Sequence, residues 1–477
     1  MKVKLITILI LSVTVSASAA TYQSSFFGGD WFNASVWGGT GIPTSSDDVD
    51  IMTLSSSGVF VNYGKAEANK IKIQGLLTID GNGELECNSV SDISYVSNNN
   101  LTIAGQGLLR ITGTSSSFNN NGSIIVKDFG SLITNQSITN NGNFTASGSS
   151  QLQLNIINNG ILGGIINMLD YSNVKISTLV VSGGHVNITN HSVVDVRIFL
   201  SIRGGGTVNI SGNSVVTVGR IYGDTFIGGI DLSPSNTPTV LTVKDQALIN
   251  SNYIHFGFSN SGNPYGRIAI NLQGGTLETR EIINFYDMTY DDPNFPSITL
   301  NLNGGTIRAT ADNADFFSNI GNLTISSENL DATRTAFTME VNNGLTVSAT
   351  NNFTFLSRGS TTRAFAKGGG GTLILSGTFD FANSDLAVND GALVLANTVR
   401  DLGNLQIAAD GALDLFGSGI IGALTVGGDL SSLGELRMTL NADGQADLFS
   451  VGGDVTVSGV LRLDALDTFD YGKQYQL

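Results

Sequence analysis

Apolar residues along this chain come in short alternating bursts: "LLTID", "LLRIT", "SIIVKD", "QLQLN", "VVTVG", "IAINLQ", "ITLNLN", "TLILSG", "LRLDAL". A period of two over four to six residues places every second side chain on one face, which is the signature of a half-buried strand. Gly, Asn, Asp and Ser punctuate nearly every burst, and beyond residue 20 no stretch repeats at the helical period. The pattern predicts an all-β chain.

The spacing of the bursts selects among β folds. "LTI" at Leu77 returns at Leu101, and "DGAL" at Asp390 returns at Asp410. "GGDL" at Gly427 returns as "GGDV" at Gly452, and "LNLQGGT" at Leu272 returns as "LNLNGGT" at Leu302. Recurrence every 20 to 30 residues marks a solenoid, because each repeat supplies one layer that cannot cover its own apolar face. Coils of roughly 20–25 residues with two or three short strands predict a right-handed parallel β-helix, its turns about 4.8 Å apart. The triplet Asn-Asn-Gly, ending at Gly122, Gly142 and Gly160, is then one corner seen in successive coils. Gly and Asn tolerate positive φ there, and stacked Asn amides are expected to form a hydrogen-bonded ladder.

The chain divides on this reading into four parts. Lys2 and Lys4, an apolar run from Leu5 to Val15 and Ala17-Ser18-Ala19 make residues 1–19 a signal peptide. The run is too short to span a bilayer, and no later segment is a transmembrane helix. Residues 20–60 hold both tryptophans and read as the cap that closes the first coil. Residues 61–365 are coils, with a long inserted loop near 285–297, and residues 366–477 are closing coils that stop within a strand-like stretch, as a truncated chain would.

Composition narrows the partners. Against 23 Lys and Arg stand 39 Asp and Glu, for a net charge of −16. Phosphate neutralisation needs clustered basic groups, so nucleic acid is excluded as a natural partner. Cys87 is the only cysteine, so no internal disulfide staples the fold; in "GELECNSV" it reads as a small buried side chain.

Residues 367–396, "KGGGGTLILSGTFDFANSDLAVNDGALVLA", resemble the autotransporter-associated β-strand repeat. Gly369 to Gly377 match its G-x-G-T-L-x-L-S-G half, and Val388, Gly391, Leu393 and Leu395 its V-x-x-G-x-L-x-L half. The usual Tyr-Thr-Gly-Gly middle is replaced by "FDFANSD". The opening W…W…G…P…D…V-x-I pattern is similar to exported bacterial proteins with PEP-CTERM-type tails. The resemblance implies a secreted or outer-membrane β-helical passenger of structural or adhesive role, with extracellular polysaccharide or a cell surface as partner. It implies no activity and no obligatory cofactor.

Candidate chemistry is sparse. Asp287, Asp291 and Asp292 beside Tyr290 lie on the longest inserted loop, where binding residues concentrate. Trp31 and Trp37 are either cap residues or platforms for a sugar ring. Asp47, Asp48 and Asp50 in "SSDDVDI" are a weak calcium candidate, carboxylates being the hard oxygen ligands calcium prefers. His185, His191 and His255 have no metal-ligand spacing. The alternative to a structural rod is a polysaccharide lyase or glycoside hydrolase. Its mark is acidic, basic and aromatic residues gathered on one face over three or four successive coils.

Overall fold

Apart from the antiparallel hairpin Arg220–Tyr222 and Thr225–Ile227, the strands pair in parallel from turn to turn and stack into a β-solenoid of about 15 coils in a computed structural model. The structure describes residues 20–465, apart from 53–57, 94–100, 115–116, 160–162, 223–224, 228, 234–236, 257–266, 285–296, 319, 321–322, 327–336, 357–362, 416–420 and 442–444. Three faces make one coil. In one turn they are Ser123–Val126, Ser131–Thr134 and Ser137–Asn140. The first-face strand pairs in register with Asn143–Ala146 of the next turn, Ser123 opposite Asn143.

The four strand repeats quoted above fall on register partners. Leu77 lies opposite Leu101, Leu272 opposite Leu302, Asp390 opposite Asp410, and Leu430 opposite Val455. The two halves of the repeat at 367–396 also meet, Leu373 and Leu375 pairing with Leu393 and Leu395.

Alternation fills the core. Ile124, Phe144, Ile166, Val186, Val208 and Leu241 lie one above another in register, each fully buried. Each such side chain contributes about 1.5–3 kcal/mol by leaving water. No single turn could bury it alone, so stability is shared between neighbours.

The Asn-Asn-Gly corner is a ladder, with two differences from expectation. Asn120 Nδ2 donates to Asn140 Oδ1 at 2.7 Å, and Asn140 Nδ2 to Asn159 Oδ1 at 2.9 Å, all three residues being buried. The rung in the third triplet is its second Asn, because Asn140 stands opposite Asn159. Gly142 is not there for positive φ, which it does not adopt. A Cβ on it would sit 2.1 Å from the Gly122 carbonyl, so close stacking of backbones excludes any larger residue. The left-handed residues sit instead at the corner between the first and second faces: Gly105, Asp128, Gly148, Asp170, Asn190, Gly212 and Asp245 in successive turns.

That same corner carries an unforeseen internal column of Ser150, Ser172, Ser192 and Ser214, all fully buried. Ser172 Oγ donates to Ser192 Oγ at 3.2 Å, and Ser192 Oγ to Thr189 O at 2.7 Å.

Near the N-terminal end lies a single 3-10 turn, Ala34–Trp37, capped by the Asn33 side chain and ended by Gly38 in a left-handed conformation. Trp31 and Trp37 meet edge to face at 4.9 Å, and Trp37 Nε1 donates to Trp31 O at 2.8 Å. Among the described residues no helix is long and apolar enough to cross a membrane.

Candidate functional site

The sites expected from sequence fare differently. Trp31 is fully buried and Trp37 nearly so, so neither ring offers a face to a sugar; both belong to the core. Asp47, Asp48 and Asp50 do not converge on a cation. Asp47 is consumed by its own turn, where Oδ2 accepts from Thr44 N at 2.9 Å and Thr44 Oγ1 at 2.7 Å, and Oδ1 from Ala20 N at 3.2 Å. Burial pushes its carboxyl up, but these bonds outweigh burial and hold it below the ordinary range. Asp48 Oδ1 accepts instead from Asn69 Nδ2 at 2.9 Å. Among the described residues, no three His, Cys, Asp or Glu side chains are placed to hold a metal ion. Asp287, Tyr290, Asp291 and Asp292 lie outside the described residues.

Cys87 is buried, and burial with the nearby Glu86 charge pushes its thiol up to about 12, which leaves no thiolate at neutral pH. His185 stands in register with Thr207, as "GGHVNIT" against "GGTVNIS" suggests, with Nδ1 2.7 Å from Thr207 Oγ1.

The arrangement that sequence reasoning missed lies on the third face, over four successive turns. Asp231 in Gly229–Leu232 stands opposite His255 in Ile254–Phe256. Tyr253 stacks on the His255 ring at 3.7 Å and 12°. His255 Nδ1 is 3.9 Å from Asp231 Oδ1 of the turn before, and Nε2 is 3.7 Å from Glu281 Oε1 of the turn after. Arg280, Asp312 and Asn313 border the same corner, which encloses about 180 Å³ with Asn252, Tyr253 and Glu281.

Local backbone chemistry positions these groups. The Glu281 carbonyl accepts from Ile254 N, and the Tyr253 carbonyl from Ile230 N, so Tyr253 and Glu281 hold equivalent places in neighbouring turns. Asp231 is buried, and its Oδ1 has no hydrogen-bond donor among the described residues. Burial raises its carboxyl to about 6, against the lowering pull of His255. Burial, with the charges of Asp231 and Glu281, also raises the Tyr253 phenol.

Chemically, this corner sets an imidazole between two carboxyl groups at 3.9 and 3.7 Å, beyond direct hydrogen-bond length. It is poorly built to cleave a glycoside, which needs room for the scissile bond between two carboxyl groups. Here the imidazole fills the space between Asp231 and Glu281. The enclosed volume also falls below the roughly 300–1,000 Å³ of common ligand pockets. The one visible signal was in "YIHFGF": Ile254, His255 and Phe256 are all buried, so His255 breaks the alternation at an outward position.

Two further features flank the corner. On the second face, Glu278, Arg308 and Glu340 stand in register, and Arg308 binds Glu278 through Nη1 and Glu340 through Nε at 2.6 Å. Nearer the C-terminal end, Gly391, Ala392, Gly411 and Ala412 line an open trough of about 620 Å³ whose rim includes Glu435 and Arg437. Compared with known protein families, curated proteins and solved structures, the chain matches none.

Proposed function

We propose that the protein is an exported β-helical rod of structural or adhesive role, displayed at or released from a cell surface, with extracellular polysaccharide or another cell as its partner. The observation that carries this reading is the outer surface of the stack. Its polar side chains bond mainly along the axis: Asn187 Nδ2 to Asn167 Oδ1 at 3.0 Å, Asn209 Nδ2 to Asn187 Oδ1 at 3.2 Å, Asn301 Nδ2 to Asn271 Oδ1 at 2.7 Å. Such columns stiffen a rod and spend donors and acceptors on each other rather than on a substrate. The basic start, apolar run and Ala-Ser-Ala stretch support export.

A polysaccharide-active enzyme is the second reading, favoured by one observation. Asp231, Tyr253, His255, Arg280, Glu281 and Asp312 gather acidic, basic and aromatic groups over four turns, as a catalytic face would. The filled space between the carboxylates argues against it.

The adhesive reading is tested by co-sedimenting the folded protein with insoluble polysaccharides and with whole bacterial cells. Retention that saturates, in the absence of any released sugar, is expected. Protein that stays in solution with every solid would overturn the adhesive role.

A further inference from the structure

At the corner between the first and second faces, each turn is a four-residue loop whose third residue points outward. Successive third residues are Phe129, Ser149, Tyr171, His191 and Asn213. Phe129 and Tyr171 are among the most exposed large apolar side chains of the described chain, at 65% and 64%. Tyr171 stacks on His191 of the next turn at 5.0 Å and 14°, and Asn213 Nδ2 lies 3.0 Å from His191 Nε2. One face of the Tyr171 ring is therefore covered from above, and its other face looks back along the axis. The turn it faces carries only Ser149, and the turn beyond carries Phe129, which makes no ring contact among the described residues.

We propose that Phe129 and Tyr171 form the two walls of a slot, floored by Ser149, that takes one pyranose ring of a neutral polysaccharide. Two turns separate the walls by roughly 9–10 Å. Carbon contacts of about 4 Å on each side leave about 1–2 Å for the occupant itself, which suits a puckered sugar ring. The C–H bonds on a pyranose face, polarised by neighbouring oxygens, meet the negative face of an aromatic ring favourably.

Two features of the turns support a site over chance exposure. Tyr171 and His191 hold left-handed backbones, φ 58° and 64°, which bulky residues rarely adopt. Exposed acceptors also sit beside both walls. Asp128 and Asp170 precede Phe129 and Tyr171, and Asp170 Oδ1 accepts from Asn190 Nδ2 at 3.0 Å, leaving its other oxygen for a hydroxyl. That acidic rim, with a net charge of −16, disfavours the phosphates of a nucleic acid or an acidic glycan.

The slot rests on the adhesive reading only for its use; its chemistry is tested separately. The full chain is titrated calorimetrically with hexasaccharides of β-1,4-glucose, β-1,4-N-acetylglucosamine, α-1,4-glucose and β-1,3-glucose, and with oligo-deoxythymidine. At least one neutral hexasaccharide is expected to bind. Phe129→Ala and Tyr171→Ala should each weaken it at least about tenfold. Ser149→Trp fills the slot and should abolish binding with an unchanged unfolding midpoint, so lost binding cannot be blamed on lost fold. Binding of none of the hexasaccharides, or binding indifferent to all three substitutions, overturns the slot. Tighter binding of oligo-deoxythymidine that the same substitutions remove would overturn the sugar as its occupant. Indifference to the substitutions together with retention on solids would remove the slot and leave the adhesive reading standing.

Discussion

Between residues 117 and 218 the coils are tight; between 297 and 395 they are fitted differently, though the three-faced plan is the same. In the first region register partners are 19 to 22 residues apart, as Asn140 with Asn159 and Asn143 with Ile165. Partners further along lie up to 35 apart, as Ile282 with Phe317, and strand partners in the second region up to 32 apart, as Gly305 with Phe337. The tight coils bring backbones so close at their corners that buried Asn and Ser columns bond the strands from inside. The later turns fill their interior with phenylalanine. Phe353 stacks on Phe379 at 4.7 Å and Phe355 on Phe381 at 4.7 Å, while Phe337 meets Phe365 at 5.5 Å. One architecture therefore has two internal adhesives, directional amides at narrow corners and aromatic stacks where the chain has volume to fill. The first also fixes register, since a slipped amide leaves a buried donor unpaired.

Breaking the aromatic half should have the largest effect. Phe355→Ala removes a ring held between Phe381 and Phe365 and should destabilise by about 3–5 kcal/mol, read by urea denaturation. Phe355→Leu should recover most of that loss, because volume matters more than the ring. Asn140→Ala comes next, at about 2–4 kcal/mol, since it strips partners from Asn120, Asn159 Oδ1 and the Ile165 carbonyl. Its neighbour Asn141, bonded to Asn121 on the outer surface, should cost less than about 0.5 kcal/mol on replacement by Ala. Equal losses at Asn140 and Asn141 would erase the distinction between inner ladder and outer column.

The effect at Asp231 is smaller than those at Phe355 and Asn140 and depends on pH. Its folded carboxyl is raised to about 6 from 3.8, so the folded chain keeps a proton that the unfolded chain releases between those values. Stability contributed at this site is thus present at low pH and lost as pH rises from about 4 through about 6. Asp231→Asn should leave stability unchanged near pH 4 and raise it by on the order of 1–3 kcal/mol at pH 8, seen as a higher unfolding midpoint. A variant less stable than the parent at pH 8 would mean that the His255 contact outweighs burial.

Much of the scaffold was legible because a solenoid writes its geometry in one dimension. Register partners recur at nearly constant spacing, so "LNLQGGT" and "LNLNGGT" could be paired by eye, and Asn-Asn-Gly pointed to the ladder of Asn120, Asn140 and Asn159. The reason for Gly142 was misread because close approach and positive φ select the same residue. The phenylalanine stack had a signal that went unused: "FTF" at Phe353 and "FDF" at Phe379 are 26 residues apart. The corner around His255 was illegible for a different cause. Asp231, His255 and Glu281 meet only once the lengths of two irregular coils are known, and sequence spacing cannot supply those when insertions vary. Trp31 and Trp37 could be read either as cap or as platform until burial removed the platform.

The most direct test of a rod that binds without cleaving is depolymerisation of acidic and neutral polysaccharides by the folded protein, with and without calcium. Reducing ends and unsaturated uronate absorbance would be followed together. No new ends are expected from any substrate. New ends that disappear in Glu281→Gln and His255→Ala, both still folded, would contradict the rod and make the corner beside Asp231 a catalytic site.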